Sequence, residues 1–222
     1  MTARRAPAAT APVVATTTPF DQRHFIARPI EPGLTFGVLR RSFKTHVNDA
    51  TSFGWTKLHP IRPARYSEEA PKRTWQPTAF RHEVLLPSGA SDLMSDPRRL
   101  FETFEDQAVA HQTDLAVLLK LTFDPGAPLH VGWERARGLA RAVFVAEHNL
   151  PVLLVSHVPS LSGTRTPAAP HVHVIALARV LGVRGFGGFC TVARDEAHAP
   201  LAAAWRASAA RPASALVPAS AA

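Results

Sequence analysis

The stretch PVLLVSHVPSLSGTRTPAAPHVHVIALAR, residues 151–179, decides how this chain folds. Its two ends are runs of Val, Leu and Ile separated by a segment of Pro, Ser, Thr and Gly, which predicts two strands joined by a loop. His157 ends the first strand, and His171 and His173 begin the second. Strand residues two apart project from one face, so antiparallel pairing across the loop brings all three imidazoles to one end of a sheet.

Imidazole is the commonest side-chain ligand for transition metals, and it is neutral enough near pH 7 to bind them. The three histidines therefore predict a divalent-metal site. In a chain with 11 histidines, the spacing alone is equally typical of strand histidines that are exposed or satisfied in the core. Cys190 is the only cysteine, which excludes an intrachain disulfide and a cysteine-based zinc cluster.

Strand and helix signals continue upstream of this stretch. Apolar or alternating runs predict strands at 24–30, 81–86 and 115–123, the last one buried on both faces. Helical signals fall at 97–111, with Asp96 as its N-cap, at 132–148, and more weakly within 39–55. Five strands and two or three helices that do not strictly alternate predict an α+β fold with a largely antiparallel central sheet.

Composition separates the middle of the chain from its ends. Residues 1–19 and 207–222 are rich in Ala, Thr and Pro and have few large side chains, so we expect two flexible tails around one domain at 20–206. Overall, 46% of the residues are hydrophobic and 19% are charged, which is typical of a globular protein.

The formal net charge of +8 indicates a surface that attracts polyanions, among which nucleic acid is the commonest. An arginine-rich composition by itself is also typical of a G+C-rich genome. No run of about 18 apolar residues predicts a membrane span, and the amino terminus lacks the apolar stretch of a signal peptide. We therefore expect a cytoplasmic protein.

Residues 157–179 resemble the relaxase domain of the MobA/MobL mobilisation family, one branch of the HUH endonucleases. They show the family's strand, histidine, loop and Pro-His-x-His pattern, followed by an apolar strand that ends in Arg179. Gly-Phe-Gly at 185–187 resembles the family's next turn. A weaker match is LPSGASDLMSDPRRLFETFEDQA at 86–108, and the whole resemblance spans roughly residues 48–188.

The resemblance implies a relaxase that handles single-stranded DNA at a plasmid's origin of transfer, with accessory mobilisation proteins as further partners. It implies that His157, His171 and His173 hold a divalent metal, Mg or Mn. In such enzymes a tyrosine attacks the phosphate at the nick site and forms a tyrosyl-DNA intermediate, and religation is the reverse reaction. The bound metal stabilises the charge of the transition state.

Tyr66 is the only tyrosine of the chain. The family's nucleophile lies in a small-residue helix, and the best counterpart here, NDATSFGWTKL at 48–58, has Phe53 at that place. Phenylalanine has no hydroxyl, so two hypotheses remain. Either Tyr66 is the catalytic nucleophile, or the protein is a catalytically degenerate relaxase derivative that binds DNA without nicking it. Tyr66 taken alone is also typical of an unconstrained loop residue.

Basic and aromatic residues upstream are candidate DNA contacts. The candidate phosphate-binding arginines are Arg62, Arg65, Arg73 and Arg81, for which a solvated basic loop is the simpler interpretation. Trp55 and Trp75 are candidates for base stacking, although packed tryptophans are commoner. Lys120 stands where relatives carry acidic residues, and it either contacts phosphate or reaches solvent. A cupin-like metal enzyme unrelated to DNA is a remoter alternative.

Overall fold

The computed structural model of this protein describes residues 25–60, 74–161 and 168–210. Within these ranges the strands are β1 Ala27–Glu31, β2 Leu34–Arg40, β3 Ser42–Phe43, β4 His46–Val47, β5 Arg81–Leu85, β6 Asp114–Thr122, β7 Val152–His157, β8 His171–Leu177, β9 Arg179–Gly182 and β10 Gly185–Phe189. The α-helices are α1 Ala50–Leu58, α2 Pro97–Asp106, α3 Leu129–Ala140 and α4 His198–Ala210. None of the described helices is both long and apolar enough to cross a membrane.

Six of the described strands form one antiparallel sheet in the order β1-β2-β6-β8-β7-β5. The prediction of an α+β fold with a largely antiparallel sheet is therefore confirmed. The central strands β6 and β8 are apolar almost throughout, because helices cover both faces of the sheet. The remaining strands form two small hairpins, β3–β4 and β9–β10.

Alternate residues of each central strand feed two separate cores. On β8, Val174 belongs to the buried cluster that contains Trp133 of α3 and residues of α4. Its neighbour Ile175 belongs to the cluster formed with Phe101 of α2 and residues of α1. The protein thus has three layers, with α1 and α2 on one face of the sheet and α3 and α4 on the other.

The helix that follows the 81–86 strand starts where its capping signal predicts. The Asp96 side chain accepts a hydrogen bond from the Arg99 N–H at 2.8 Å, and Pro97 occupies the first helical position. The helix ends at Asp106 rather than near residue 111. Gln107 is engaged by the β9–β10 hairpin there, because its side-chain oxygen accepts from the Phe186 N–H at 2.8 Å.

The helix expected at 132–148 begins at Leu129 and continues from α3 as π-helical turns over Arg141–Glu147. It stops at Asn149, whose φ of 52° lies in the left-handed region that asparagine tolerates better than most residues. The sequence interpretation of this helix is therefore correct at its end and three residues late at its start.

The apolar spacing within 39–55 predicted a helix, but the first half of this segment is not helical. Residues there belong instead to β2, which the sequence interpretation missed, and to the β3–β4 hairpin, where Val47 is 80% exposed. The helix α1 forms only from Ala50, because the Asp49 side chain accepts from the Ser52 N–H and caps it. Alternation of LTFGVLR over 34–40 is the strand signal that this spacing obscured.

The last helix, α4, was not predicted and runs through residue 210, beyond the expected domain boundary at 206. Tertiary contacts hold it. The Trp205 indole N–H donates to the Pro32 carbonyl at 3.0 Å, and the Arg135 guanidinium lies 3.4 Å from the Trp205 ring centroid. The expected amino-terminal tail lies outside the described residues.

Candidate metal centre

Pairing of β7 with β8 brings three histidines together at one end of the sheet. His157 lies directly opposite His171, and His173 follows two residues along β8 on the same face. The ring centroids are 5.3 Å apart for His157 and His171, 4.7 Å for His157 and His173, and 4.9 Å for His171 and His173. Each residue offers a ligand atom within 4.8 Å of the other two. The imidazoles thus meet as the strand spacing predicts.

Backbone carbonyls determine which nitrogen of two imidazoles is available. The Nε2 atom of His157 lies 2.7 Å from the Lys57 carbonyl oxygen, and Nδ1 of His171 lies 2.9 Å from the Ala169 carbonyl oxygen. A carbonyl only accepts, so these two nitrogens carry the hydrogens. Nδ1 of His157 and Nε2 of His171 therefore keep their lone pairs. Such outer hydrogen bonds orient metal-binding histidines in proteins.

Burial disfavours the protonated form of two of these imidazoles. All three are buried, and burial lowers the pKa of His171 to about 3 although its backbone hydrogen bond opposes the shift. Burial also lowers the pKa of His173 well below its usual value, and the positive charges of Lys57 and Lys120 lower it further. At neutral pH His171 and His173 are thus unprotonated, as metal ligands must be.

The carboxyl end of α1 fastens this site. The last carbonyls of a helix have no partner within the helix. Here the Lys57 carbonyl accepts from His157, and the Leu58 carbonyl accepts from the Ala79 N–H at 3.0 Å. The helix end therefore holds both a histidine and the segment that leads into β5. Sequence reasoning assigned no role to Lys57, since this contact joins residues 100 positions apart.

The other end of α1 is held by α2. Glu105 of α2 accepts from the Arg41 guanidinium at 2.8 Å and from the Ala50 N–H in the first turn of α1. A carboxylate at a helix amino terminus interacts favourably with the helix dipole and satisfies a free N–H. Glu105 thus sets the position of the helix that contacts His157.

The donor set fits a transition-metal ion better than Mg²⁺. Among the described residues the metal-binding group contains only the three histidines and no carboxylate. Imidazole nitrogen suits first-row transition metals, whereas Mg²⁺ prefers oxygen ligands.

Lys120 lies beside the histidines. It is directly opposite His173 in the pairing of β6 with β8, so both side chains project from the same face, and Lys120 is exposed. Lys57 of α1 is buried, with its Nζ 5.3 Å from the Phe53 ring centroid. Two positive charges therefore flank the three neutral imidazoles.

Only some of the residues expected to act on DNA lie in the part of the chain that the structure describes. Phe53, which the sequence resemblance puts at the expected place of the nucleophile, is buried in the core of α1 and α2, with its ring 5.7 Å from that of Phe25. The candidate nucleophile and three of the candidate arginines lie outside the described residues: Tyr66, Arg62, Arg65 and Arg73.

Arg81 is on the opposite face of the sheet from the histidines. It pairs with Ser156 of β7, which in turn pairs with Val172 of β8. Val172 belongs to the core between the sheet and the helices α3 and α4. Its guanidinium lies 4.3 Å from the Trp133 ring centroid and 3.8 Å from the Glu134 carboxylate. Arg81 therefore ties β5 to α3. The alternation of strand side chains puts His82, not Arg81, on the histidine face.

The tryptophans proposed for base stacking are packing residues. Trp55 is buried and donates its indole N–H to the Thr74 carbonyl at 2.8 Å, and Trp75 is half-buried against the core of α1 and α2. An exposed aromatic ring near the histidines is instead that of Phe80, which is 53% exposed and which sequence reasoning missed. The predicted strand began at Arg81, one residue after Phe80, and the exposure of the ring could not be read from the sequence.

Comparison with known proteins bears on the fold. No protein-family model and no curated protein matches this chain. One similar solved structure concerns the molecular basis of vancomycin resistance transfer in Staphylococcus aureus. The match has a TM-score of 0.50 and 18% sequence identity, and it covers 60% of this chain and 68% of that chain. The conjugative relaxase TrwC, in a copper-bound complex with oriT DNA, has a TM-score of 0.37, 16% identity and 57% coverage of each chain. The staphylococcal likeness establishes a shared fold.

Proposed function

We propose that this chain is a relaxase-like protein of DNA transfer that binds single-stranded DNA at an origin of transfer and, with a divalent metal, nicks and religates it. The observation that carries this proposal is the buried group of three histidines, two of them oriented by backbone carbonyls. The resemblance of residues 48–188 to MobA/MobL relaxases supports it, as does the fold shared with a protein of vancomycin resistance transfer.

The residues of the site have separate tasks in this proposal. His157, His171 and His173 hold the metal, and the low pKa values of His171 and His173 keep the lone pairs of these two imidazoles free of protons. When bound, the metal polarises the phosphate oxygens and stabilises the charge of the transition state. Lys120 and Lys57 add positive charge that favours a phosphate in the same place. The nitrogen donors favour Mn²⁺ over Mg²⁺.

The nucleophile in this proposal is Tyr66, which is the only tyrosine of the chain. Its phenol would lose its proton and its oxygen would attack the phosphorus, while the bond from phosphorus to the 3′ oxygen breaks. The 3′ oxygen would take up a proton and leave as a hydroxyl, and the 5′ phosphate would stay attached to Tyr66. Arg62, Arg65 and Arg73 remain proposed DNA contacts. Arg81 does not, because it faces the other side of the sheet.

A second candidate function is DNA binding without nicking. Phe53 favours it, because it stands at the expected place of the nucleophile, lacks a hydroxyl and is buried in the core. This alternative keeps the positive charge of the site and predicts no covalent intermediate.

The two functions are separated by incubating the full chain and Mn²⁺ with labelled single-stranded oligonucleotides that tile a mobilisation origin. The nicking function predicts a covalent protein–DNA adduct on a denaturing gel, which disappears in Tyr66→Phe and in His173→Ala but not in the exposed control His130→Ala. Binding without an adduct on every oligonucleotide would leave the second function. An adduct that persists in Tyr66→Phe would show that the nucleophile is another residue.

A further inference from the structure

The strand register aligns exposed side chains on both sides of the histidines. On β6, Lys120 is directly opposite His173. On β5, His82 is directly opposite Val155, which in turn is opposite His173. Residues paired in this way project from the same face of a sheet. His82 and Lys120 are both exposed, and the row across β5, β7, β8 and β6 consists of His82, Val155, His173 and Lys120.

Phe80 lies outside this row and directly precedes β5. Arg81, the first residue of β5, pairs with Ser156, the residue before His157, so Phe80 lies at the His157 end of the site. The residue before Phe80 is held in place, because the Ala79 N–H donates to the Leu58 carbonyl of α1. The phenyl ring is nevertheless 53% exposed. A large exposed ring on an anchored segment is suited to contact a ligand rather than the core.

The spacing of this surface follows from the sheet. Neighbouring strands are about 4.8 Å apart, so Phe80 and Lys120, three strands apart, are separated by roughly 14 Å across the strands and by two residues, roughly 7 Å, along them, with the histidines between them. The surface thus combines an aromatic ring, three imidazoles and a lysine. A polyanion whose bases are free to stack is the ligand that uses all of these groups, which is a single strand rather than a duplex.

We propose that single-stranded DNA crosses this end of the sheet obliquely to the strands, with a base stacked on Phe80 at the His157 end and a phosphate bound by Lys120 on the other side of the histidines. The proposal rests on the proposed function, since it gives the path of the same DNA over the same site. It assigns Phe80 to base contact and Lys120 to charge, so the two residues have different experimental signatures.

Binding is measured by fluorescence anisotropy of a labelled oligothymidylate with the full chain in EDTA, so that nicking does not interfere. Phe80→Ala is expected to weaken binding about fivefold or more, whereas Phe80→Trp keeps it, because either ring can stack on a base. An oligonucleotide with abasic sites should show no difference between wild type and Phe80→Ala. Phe189→Ala is the matched control, since Phe189 is 46% exposed on β10, beyond the other end of β8.

Lys120→Gln is tested by the salt dependence of the same binding. Loss of one phosphate contact should reduce the slope of log K against log salt by about 0.7, because one fewer counterion is released from a single strand. Lys44→Gln, at an exposed lysine in the β3–β4 turn, should leave the slope unchanged. Thermal melts of all variants verify that each is folded.

The outcomes distinguish this inference from the proposed function. Wild-type protein that binds no single-stranded oligonucleotide would overturn the proposed function itself. Wild-type binding with unchanged affinity in Phe80→Ala and an unchanged slope in Lys120→Gln would overturn the DNA path alone. Equal losses in Phe80→Ala and Phe189→Ala would also overturn it, since the effect would then not depend on position.

Discussion

Acid should destabilise this protein through its buried histidines, and His171 allows the effect to be measured. The perturbation is His171→Gln, which keeps a polar side chain of similar size but removes the group that titrates. In the folded protein, burial lowers the pKa of His171 to about 3, against 6.5 for an ordinary histidine. The unfolded chain therefore takes up a proton at a pH where the folded protein does not.

The size of the effect follows from these two pKa values. Because the pKa is lower in the folded state, stability is fully present above about pH 6.5 and is lost as the pH falls towards about 3. Between about pH 7.5 and about pH 5, proton uptake by the unfolded chain removes about 2 kcal/mol from the free energy of unfolding. His173, whose pKa is also lowered, adds to the loss in the same direction.

Urea denaturation across this pH range, in EDTA to exclude metal, measures the effect. The free energy of unfolding of wild type should fall by about 2 kcal/mol more than that of His171→Gln. His130→Gln, at an exposed position on α3, is the control and should follow wild type. Parallel curves for wild type and His171→Gln would refute the reasoning, because they would mean that His171 is protonated equally in the folded and unfolded states.

Three further perturbations test the helix that supports the site and the site itself. Glu105→Gln should lower the free energy of unfolding, measured by urea denaturation, by about 2 kcal/mol, because Glu105 bridges an arginine and the first turn of α1. The control Glu102→Gln, at an exposed ion pair within α2, should leave this free energy nearly unchanged. Equal effects of the two substitutions would contradict the bridging role of Glu105. Gly54→Ala places a Cβ 2.7 Å from a core phenylalanine ring of α2 and should lower the free energy of unfolding by about 1–3 kcal/mol. In the control Gly188→Ala the new Cβ meets no atom within 4 Å. Equal melting temperatures of the two variants would show that the core yields to the methyl group. Zn²⁺ and Mn²⁺ should raise the melting temperature of wild type but not that of His173→Ala. Mg²⁺ should raise the melting temperature of wild type least, because the donors are nitrogen atoms. A larger rise with Mg²⁺ would mean that the metal binds at a site other than the three histidines.

The strands β7 and β8 and their three histidines were predictable because the signals are local. Two apolar runs joined by a turn-rich segment specify a hairpin, and a period of two specifies which residues share a face. The start of α2 was predictable for the same reason, since Asp96 and Pro97 act within one turn. The boundary of α4 was not, because alanine is common both in that helix and in the segment after it, and distant contacts of Trp205 hold the helix.

The sequence by itself determined that His157, His171 and His173 would share one end of a sheet, since that follows from their positions along paired strands. Only the tertiary structure decided what surrounds them. It brought the end of α1 to His157, placed Lys120 opposite His173, and turned Arg81 to the far face. Burial, and with it the pKa of each imidazole, depends on helices packed from distant parts of the chain, so no local pattern could reveal it.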